Sequence, residues 1–510
     1  MSQFLTRLHA LPLLVLLMGL SALAMVLPAI FAAATEDFFS MRAFLQGGGL
    51  VLTFAVMLGV VTSNYEPRQQ GLSHLFALFA TFVFLPVVLA VPVKLAEPDT
   101  RFFNAYFEMV SSVTTTGATL FPDVSRLAPA VHLWRALVAW FGGLYMLIMA
   151  VAILAPMNLG GFDVLSSAVG AGRRNAVGDE FWATDGGRRI VKYTVELLPL
   201  YIGLTAFLWL LIVIQGQAPM HALVHAMSIL STSGITASGQ GLTGEGGGLA
   251  VELTVFLFLF LALSRQPFVT DRSSRQFSQV ISDPELRMGL MVVAMLSLLL
   301  FLRHWIGAFG VNSEENFWAA IRGLWGSVFT ILSFLTTTGF ESIAWEDARD
   351  WSGLGTPGII LMGLSLIGGG VATTAGGVKL LRVYALYAHG RRELDKLVHP
   401  SSVAGMGAVA RRLRREGAFL AWVFFMLFAL SLCLVVLAFS LAGLSMETAI
   451  ALAIAALSTT GPVAPVAVST PFSYDLLSDA AKMIFAAAMV LGRLETLVII
   501  ALFNPEFWRR

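Results

Sequence analysis

The chain has one cysteine, Cys433, in 510 residues. That excludes an intramolecular disulfide framework and any cysteine-rich metal site. Cys433 falls in the apolar run AWVFFMLFALSLCLVVLAF, where a buried thiol is expected. Charge is also scarce, at 12% of residues, against about 25% in ordinary soluble domains. It is balanced as well, 32 Lys and Arg against 31 Asp and Glu. Neither a basic nucleic-acid-binding face nor an acidic disordered tail fits that balance. What is abundant is hydrocarbon: 57% hydrophobic residues and a mean hydropathy of +0.80. The composition predicts an all-α integral membrane protein that crosses the bilayer many times.

A spanning helix needs about 20 mostly apolar residues. Ten candidates satisfy this, at 11–33, 43–62, 72–93, 130–155, 190–214, 248–265, 287–308, 355–388, 417–443 and 479–503. The segment 355–388 is too long for one straight span and contains GGG and AGG, so a broken helix is expected there. The first run has a positive flank at Arg7, as a signal peptide would, but its length favours a retained helix. Basic residues cluster in alternate connections: Arg173, Arg174, Arg188, Arg189 and Lys192, then Arg265, Arg272, Arg275 and Arg287, then nine more from Lys379 to Arg415. The stretch 215–264 has no Lys or Arg. The positive-inside rule and an even number of spans both put the two termini in the cytoplasm.

The connections on the opposite side are long and too apolar for ordinary loops. Each holds a stretch of about 12–15 residues, too short to span, ending in small hydroxyl residues and a glycine. The four read SSVTTTGAT, ILSTSGITA, LSFLTTTGF and ALSTTGPVA, with glycines at Gly117, Gly234, Gly339 and Gly461, spaced 117, 105 and 122 residues apart. Recurrence at that period is an internal repeat, each unit being helix, re-entrant half-helix, glycine turn, helix. Non-helical backbone at membrane depth survives only inside protein or along a watery cavity. Four such turns can converge on one axis, with the partially negative C-terminal ends of the half-helices at the centre. Glycine permits positive φ, which turns carbonyls inward, and a ring of carbonyls replaces an ion's hydration shell. None of the four turns contains Asp or Glu, so the ring suits a monovalent cation such as K⁺ better than a divalent one. The bland reading of a single turn is tight helix packing in a transporter.

The motifs TTTGAT, TTTGF and STTGP, together with WRALVAWFGGLYMLIMAVAILAP at 134–156, LIGGGVATTAGGVKLLRVYAL at 366–386, GRRELDKLVHPSSV and LGRLETLVIIALF, resemble the Trk/Ktr/HKT superfamily of potassium transporters, most closely its TrkH-type subunit. The resemblance covers essentially the whole chain. It implies two N-terminal helices (1–66) and four pseudo-symmetric helix–pore-loop–helix repeats around a central pore. The expected bounds are 67–175, 176–280, 281–410 with an intramembrane gating loop, and 411–510. The filter positions it implies are Thr115, Thr116, Gly117 and Ala118; Thr232, Ser233, Gly234 and Ile235; Thr337, Thr338, Gly339 and Phe340; and Thr459, Thr460, Gly461 and Pro462. In the plant branch a serine can replace the first glycine and admit sodium, so Gly117 favours K⁺. The resemblance also implies a homodimer in the bacterial inner membrane. It further implies a cytoplasmic nucleotide-binding regulatory partner of the TrkA type, because the chain carries no soluble segment large enough to bind nucleotide. K⁺ is then the transported ion, with no organic cofactor.

Beneath the filter the sequence offers two gate candidates. Gly368, Gly369 and Gly370, then Thr373 and Thr374, then Gly376 and Gly377 cannot make a stable straight helix. In a pore-lining position the segment can block or clear the path; the bland reading is a kink. It is not a phosphate loop, since Lys379 follows Gly-Gly-Val and the P-loop spacing is missing. The second candidate is Arg493, a cation deep in an apolar span and costly there. By resemblance it faces the pore and repels cations; the alternative is an interhelical ion pair. Glu495, two residues on, does not share its helix face and should pair elsewhere. His221 and His225, at i,i+4, have no third metal ligand in view, so packing is the favoured reading. The arginines at 411–415 read as a positive-inside flank, with anionic lipid or a partner domain as the sharper alternative.

Two other mechanisms stay open. A symporter coupled to H⁺ or Na⁺ would use broken helices and intramembrane carboxylates, of which the spans hold few. An intramembrane hydrolase using Ser233 would need a positioned base, and nothing in it accounts for three further copies of the turn.

Overall fold

The structure, a computed structural model, describes residues 12–63, 70–155, 186–239, 241–243, 248–264, 283–307, 317–353, 358–398, 417–468, 471–495 and 499. Among these residues there are helices and connecting turns and no strand. Seven helices are long and apolar enough to cross a bilayer: Leu13–Ala34, Phe38–Thr62, Ser73–Ala96, Pro129–Leu154, Gly186–Ile214, Pro284–Arg303 and Ala418–Leu441. The chain is an all-α, multi-pass membrane protein.

The first elements are α1 (Leu13–Ala24), α2 (Val26–Ala34) and α3 (Phe38–Thr62). They pack on one another and, through α2, on α6. From there the pattern repeats. Helices α4 (Gln70–Ala96) and α6 (Pro129–Met149) flank a half-helix, α5 (Phe102–Val113). Helices α7 (Gly186–Ile214) and α9 (Gly248–Leu259) flank α8 (Pro219–Ser231). Helices α10 (Pro284–Gly307) and α13 (Gly358–Ile367) flank α11 (Phe317–Leu335) and the short α12 (Trp345–Ser352). After α14 (Leu380–Val398), helices α15 (Ala418–Leu441) and α18 (Asp479–Leu494) flank α16 (Met446–Leu457) and one turn, α17 (Val463–Ala467).

The order of contacts closes a circle. Each half-helix packs on the outgoing helix of the preceding unit: α8 on α6, α11 on α9, α16 on α13, and α5 back on α18. A half-helix has too little length to reach both membrane faces, so burial among neighbours is what stabilises it. The last turns of α5, α8 and α16 are buried on all sides. The third half-helix is longer than the sequence suggests, running 19 residues from Phe317 to Leu335, with its apolar segment at Ala320–Leu335.

Two expected spans come out differently, at 248–265 and 479–503, and a third shows the break expected of it. The helix expected at 248–265 is the apolar segment Gly248–Ala262, shorter than a bilayer crossing. The helix expected at 355–388 is interrupted from 368 to 379, because Gly368 and Gly377 adopt φ of 74° and 78° and Ala372 and Lys379 adopt 54° and 84°. The last helix stops at Leu494, where Glu495 takes φ 62°. Residues 496–498 and 500–510, most of the arginine-rich connections and both termini lie outside the described residues. The expected buried thiol is corrected. Cys433 is exposed on α15, because the apolar solvent for that face is lipid rather than protein.

Candidate functional site

The four half-helices end in one geometry. The residue after each C-cap is left-handed: Thr115 (φ 57°), Thr337 (59°) and Thr459 (52°), with Thr232 (52°) at the matching place. The next N–H reaches back five residues, Thr116 to Ser111 (2.8 Å), Ser233 to Ser228 (2.9 Å), Thr338 to Ser333 (2.9 Å) and Thr460 to Ala455 (2.8 Å). This is the Schellman ending of a helix, which ordinarily takes glycine at the left-handed position. Here a β-branched threonine occupies it four times, at a cost of about 1–2 kcal/mol each. Strain repeated at one position points to function. The sequence reading assigned positive φ to the glycines alone; the signal for the threonines was their own fourfold recurrence.

The hydroxyl beside each glycine points backward. Thr116 bonds Thr114 (2.8 Å), Ser233 accepts from Ser231 (3.1 Å), Thr338 bonds Thr336 (3.2 Å) and Thr460 accepts from Ser458 (3.2 Å). These pairs brace the turn against its half-helix, and serine does this as well as threonine, which accounts for Ser233. By contrast, the Thr115 and Thr459 hydroxyls are buried with no hydrogen-bond partner among the described residues. Buried polar atoms are rarely left so, and these two lie on loops one and four.

The glycines mark where the loops meet. A Cβ on Gly117 would strike the Ser233 carbonyl oxygen, one on Gly234 the Thr338 carbonyl oxygen, and one on Gly461 would come within 2.7 Å of the Thr116 carbonyl oxygen. On Gly339 it would lie 2.9 Å from Pro462 Cβ and Cγ. The contacts run loop one to two, two to three, three to four and four to one, so the loops form a closed ring. Gly117, Gly234 and Gly339 have positive φ of 73°, 65° and 82°. The fourth departs from expectation: Gly461 is not left-handed, and glycine is required there only by the close approach of the first loop.

Beyond each turn a polar group holds the returning chain. Glu108 accepts from the Thr119 hydroxyl (2.9 Å) and the Leu120 N–H and pairs with Arg135 at 2.9 Å, both side chains buried. His225 bonds Gln217 (3.0 Å) and Thr236 (3.2 Å). Glu252 accepts from Trp325 Nε1 (2.8 Å), the Ser342 hydroxyl (2.9 Å) and the Ile343 N–H (2.6 Å). The buried Tyr474 hydroxyl donates to the Gly461 carbonyl at 2.7 Å. Glu108, Arg135 and Tyr474 escaped the sequence reading, although a charge inside an apolar run, as at Glu108 and Arg135, is a usable signal. His225 is a packing residue, and no group of three metal-ligating side chains occurs among the described residues. Outside the spans, Asp123 keeps its carboxyl below the ordinary range because the Ser125 hydroxyl and N–H donate to it.

The interrupted segment lies against the ring's half-helix side. The Gly376 N–H donates to the Thr337 hydroxyl at 2.8 Å, and the Thr374 hydroxyl donates to the Leu230 carbonyl at 3.1 Å. A Cβ on Gly376 would collide with the Ser458 carbonyl and the Thr459 hydroxyl. The segment therefore touches loops two, three and four. Further bonds run to the turn that follows α9 and to α10: the Gly370 N–H donates to the Ala262 carbonyl (2.9 Å) and the Val371 N–H to Glu285 (2.9 Å). Gly369 sits so close to Ala262 that a Cβ would displace it. Lys379 turns its ammonium onto the Ala375 carbonyl, and Thr373 caps Gly370 (2.7 Å).

Arg493 meets this segment. Its Nη1 donates to the Thr374 carbonyl at 2.7 Å, while Nε and Nη2 are buried without a hydrogen-bond partner among the described residues. Its charge is therefore not neutralised by a hydrogen-bonded carboxylate. Glu495 instead pairs with Arg382 at 2.7 Å, whose guanidinium lies 3.5 Å from the Phe424 ring centroid. A small cavity between the segment and α6 is lined by Met146, Ala150, Gly376, Lys379 and Arg493. It lies where α6 widens into a π turn at Ala150–Leu154, a feature common at functional sites.

Comparison with known proteins adds four findings. A family model for TrkH cation transport proteins matches residues 284–510. The chain is 28% identical over 468 residues to the Trk system potassium uptake protein TrkI of Halomonas elongata, covering 90% of this chain and 89% of that one. It is 28% identical over 494 residues to the Trk system potassium uptake protein TrkH of Salmonella typhimurium, covering 95% and 96%. The crystal structure of the potassium transporter TrkH from Vibrio parahaemolyticus superposes with a TM-score of 0.79 at 24% identity, over 99% of this chain and 100% of that one. At that identity the superposition speaks for the fold alone.

Proposed function

We propose that this chain, a TrkH-type subunit and a transporter rather than an enzyme, takes up potassium through the ring of four loops. The carrying observation is the cyclic contact of Gly117, Gly234, Gly339 and Gly461 with the next loop at the C-terminal ends of four half-helices. Those ends bring partial negative charge to one point. Backbone carbonyls and the unpartnered Thr115 and Thr459 hydroxyls supply neutral oxygen there. Neutral oxygens suit a large monovalent cation, whose hydration shell they replace.

The segment 368–377 is the barrier beneath this filter, and Arg493 holds it closed through the Thr374 carbonyl. Lys379 and Arg493 together put positive charge under the ring and slow cation exit. The units that build the pore are 67–175, 176–280, 281–410 and 411–510, with 1–66 outside them. The protein works as a homodimer in the bacterial inner membrane with cytoplasmic termini. A cytoplasmic nucleotide-binding partner of the TrkA type supplies the free energy that displaces the segment.

Proton-coupled symport would want free carboxylates along the path. Among the described residues Glu108, Glu252, Glu285 and Glu495 are buried, and each is already bonded to a donor or a cation. That favours a gated pore. The test is ion flux through the purified protein in liposomes with K⁺, Rb⁺ or Na⁺ gradients and no proton gradient. Passive flux of K⁺ and Rb⁺ over Na⁺ is expected. Flux that appears only when a second gradient is imposed, in protein already supplied with its partner, would replace this reading with symport.

A further inference from the structure

Three of the four junctions in the ring are alike. At each, the carbonyl just before one loop's glycine comes within 2.7 Å of where a Cβ on the neighbouring glycine would sit: Ser233 by Gly117, Thr338 by Gly234, and Thr116 by Gly461, where the Ala118 nitrogen lies closer still. By the same rule the Thr460 carbonyl belongs on Gly339. The atoms nearest to a Cβ on Gly339 are instead Cβ, Cγ and Cδ of Pro462, and that ring also reaches across to Gly234, 2.9 Å from where a Cβ would sit. Gly339 is buried beneath it, whereas Gly117 and Gly234 are partly exposed.

The fourth loop is held in this departure by two bonds. The Gly461 N–H donates to the Thr116 carbonyl at 2.6 Å, and the Tyr474 hydroxyl donates to the Gly461 carbonyl at 2.7 Å. The first locks the fourth loop onto the first while leaving the Thr116 carbonyl a second lone pair, and the second turns the Gly461 carbonyl toward Tyr474. Past Gly461 the chain turns helical at once, in Val463–Ala467, so Pro462, with φ −59°, is locked in orientation. Tyr474 is itself fixed, with Phe472 and Phe485 rings 5.2 Å away, centroid to centroid.

We propose that Pro462 is a specificity-determining residue at the end of the ring away from the 368–377 segment. Its hydrocarbon ring replaces a fourth carbonyl there, so that coordination is three-sided and the width of the opening is set by a rigid wall. Tyr474 is the positioning residue that keeps that wall in place. This rests on the filter reading given under Proposed function.

The experiment measures relative permeabilities of Na⁺, K⁺, Rb⁺ and Cs⁺ through the full-length protein in planar bilayers. The variants are Pro462→Ala, Tyr474→Phe and, as a control on the filter itself, Gly117→Ser. Removing the ring carbons in Pro462→Ala should raise Cs⁺ relative to K⁺ by about tenfold, the scale on which a hydrocarbon wall group discriminates between fits. Tyr474→Phe, which leaves the proline intact, should shift the same series in the same direction by less. A Tyr474 role confined to stability would lower the melting temperature and leave the series unmoved. An unchanged series in both variants, with Gly117→Ser altered, overturns the role of Pro462 while the filter stands. An unchanged series in Gly117→Ser overturns the filter reading and this inference with it. If Pro462→Ala does not fold, Tyr474→Phe alone decides, because the inference requires it to move the series.

Discussion

The pair of Glu108 and Arg135 gives the most direct way to ask whether the first loop is held from behind. The two side chains are 1% and 5% exposed and 2.9 Å apart. Glu108 also receives the Thr119 hydroxyl and the Leu120 N–H, just past Ala118. Removing one partner of a buried pair leaves the other charge stranded, at a cost of about 3–5 kcal/mol. Glu108→Gln and Arg135→Met should each lose stability on that scale. Because both act on one contact, the double variant should fall short of the sum of the singles by about 1–3 kcal/mol. The assay is equilibrium unfolding in mixed micelles, followed by fluorescence and run on all four members of the cycle. Glu108→Gln should also reduce discrimination between K⁺ and Na⁺, since it loosens the chain that carries Ala118. Strict additivity of the two single losses would show that the pair does not couple in the folded protein. Full stability with wild-type ion selectivity in Glu108→Gln would remove this carboxylate from the account of the filter.

Three further outcomes follow from the geometry. Arg493→Met removes the donor to the Thr374 carbonyl and should raise passive K⁺ flux in liposomes without the partner; flux at or below wild type would mean that the contact is not a latch. Gly376→Ala places a methyl against the Ser458 carbonyl and the Thr459 hydroxyl and should also raise flux by pushing the segment off the ring. Normal flux with an intact melting temperature would contradict that placement. Thr115→Gly relieves left-handed strain, φ 57°, and should leave stability unchanged or raised by about 1 kcal/mol; ion selectivity should fall nonetheless, and a variant that melts lower with selectivity intact would show the threonine to be structural.

Much of the fold was legible because a bilayer imposes simple rules. Long apolar runs had to be helices, and short ones ending in glycine had to re-enter. The glycine recurrence gave the number of loops, and the GGG and AGG runs gave the break at 368–379. Arg493 announced itself as a charge where charge is costly. What stayed hidden was any property set by partners distant in sequence. Glu252 serves a loop 90 residues away through Ser342, and Tyr474 acts through its hydroxyl on a carbonyl 13 residues back. Nothing in the local pattern of either residue predicts that bond. Lipid misled in the opposite direction, since Cys433 is apolar in setting yet exposed on the protein.

The four loops also show why a motif is a weaker guide than a contact. TTG at 459–461 reads like TTG at 115–117, and glycine occupies both ends of the comparison. Yet Gly117 is left-handed at 73° and Gly461 is not. The first glycine is needed for its φ, and the fourth because a side chain would strike the Ala118 backbone. Gly461→Ala and Gly117→Ala should therefore fail differently. A Cβ at Gly461 pushes the fourth loop away from the first and breaks the 2.6 Å bond to the Thr116 carbonyl, opening one junction of the ring. A Cβ at Gly117 collides with the Ser233 carbonyl while also occupying a strained φ, so it disturbs the ring and costs backbone energy together, about 1–2 kcal/mol for the φ alone. Unfolding of the two variants separates these cases: Gly117→Ala should melt below Gly461→Ala, and the reverse order would mean that contact at the fourth junction, rather than backbone conformation, dominates the stability of the filter.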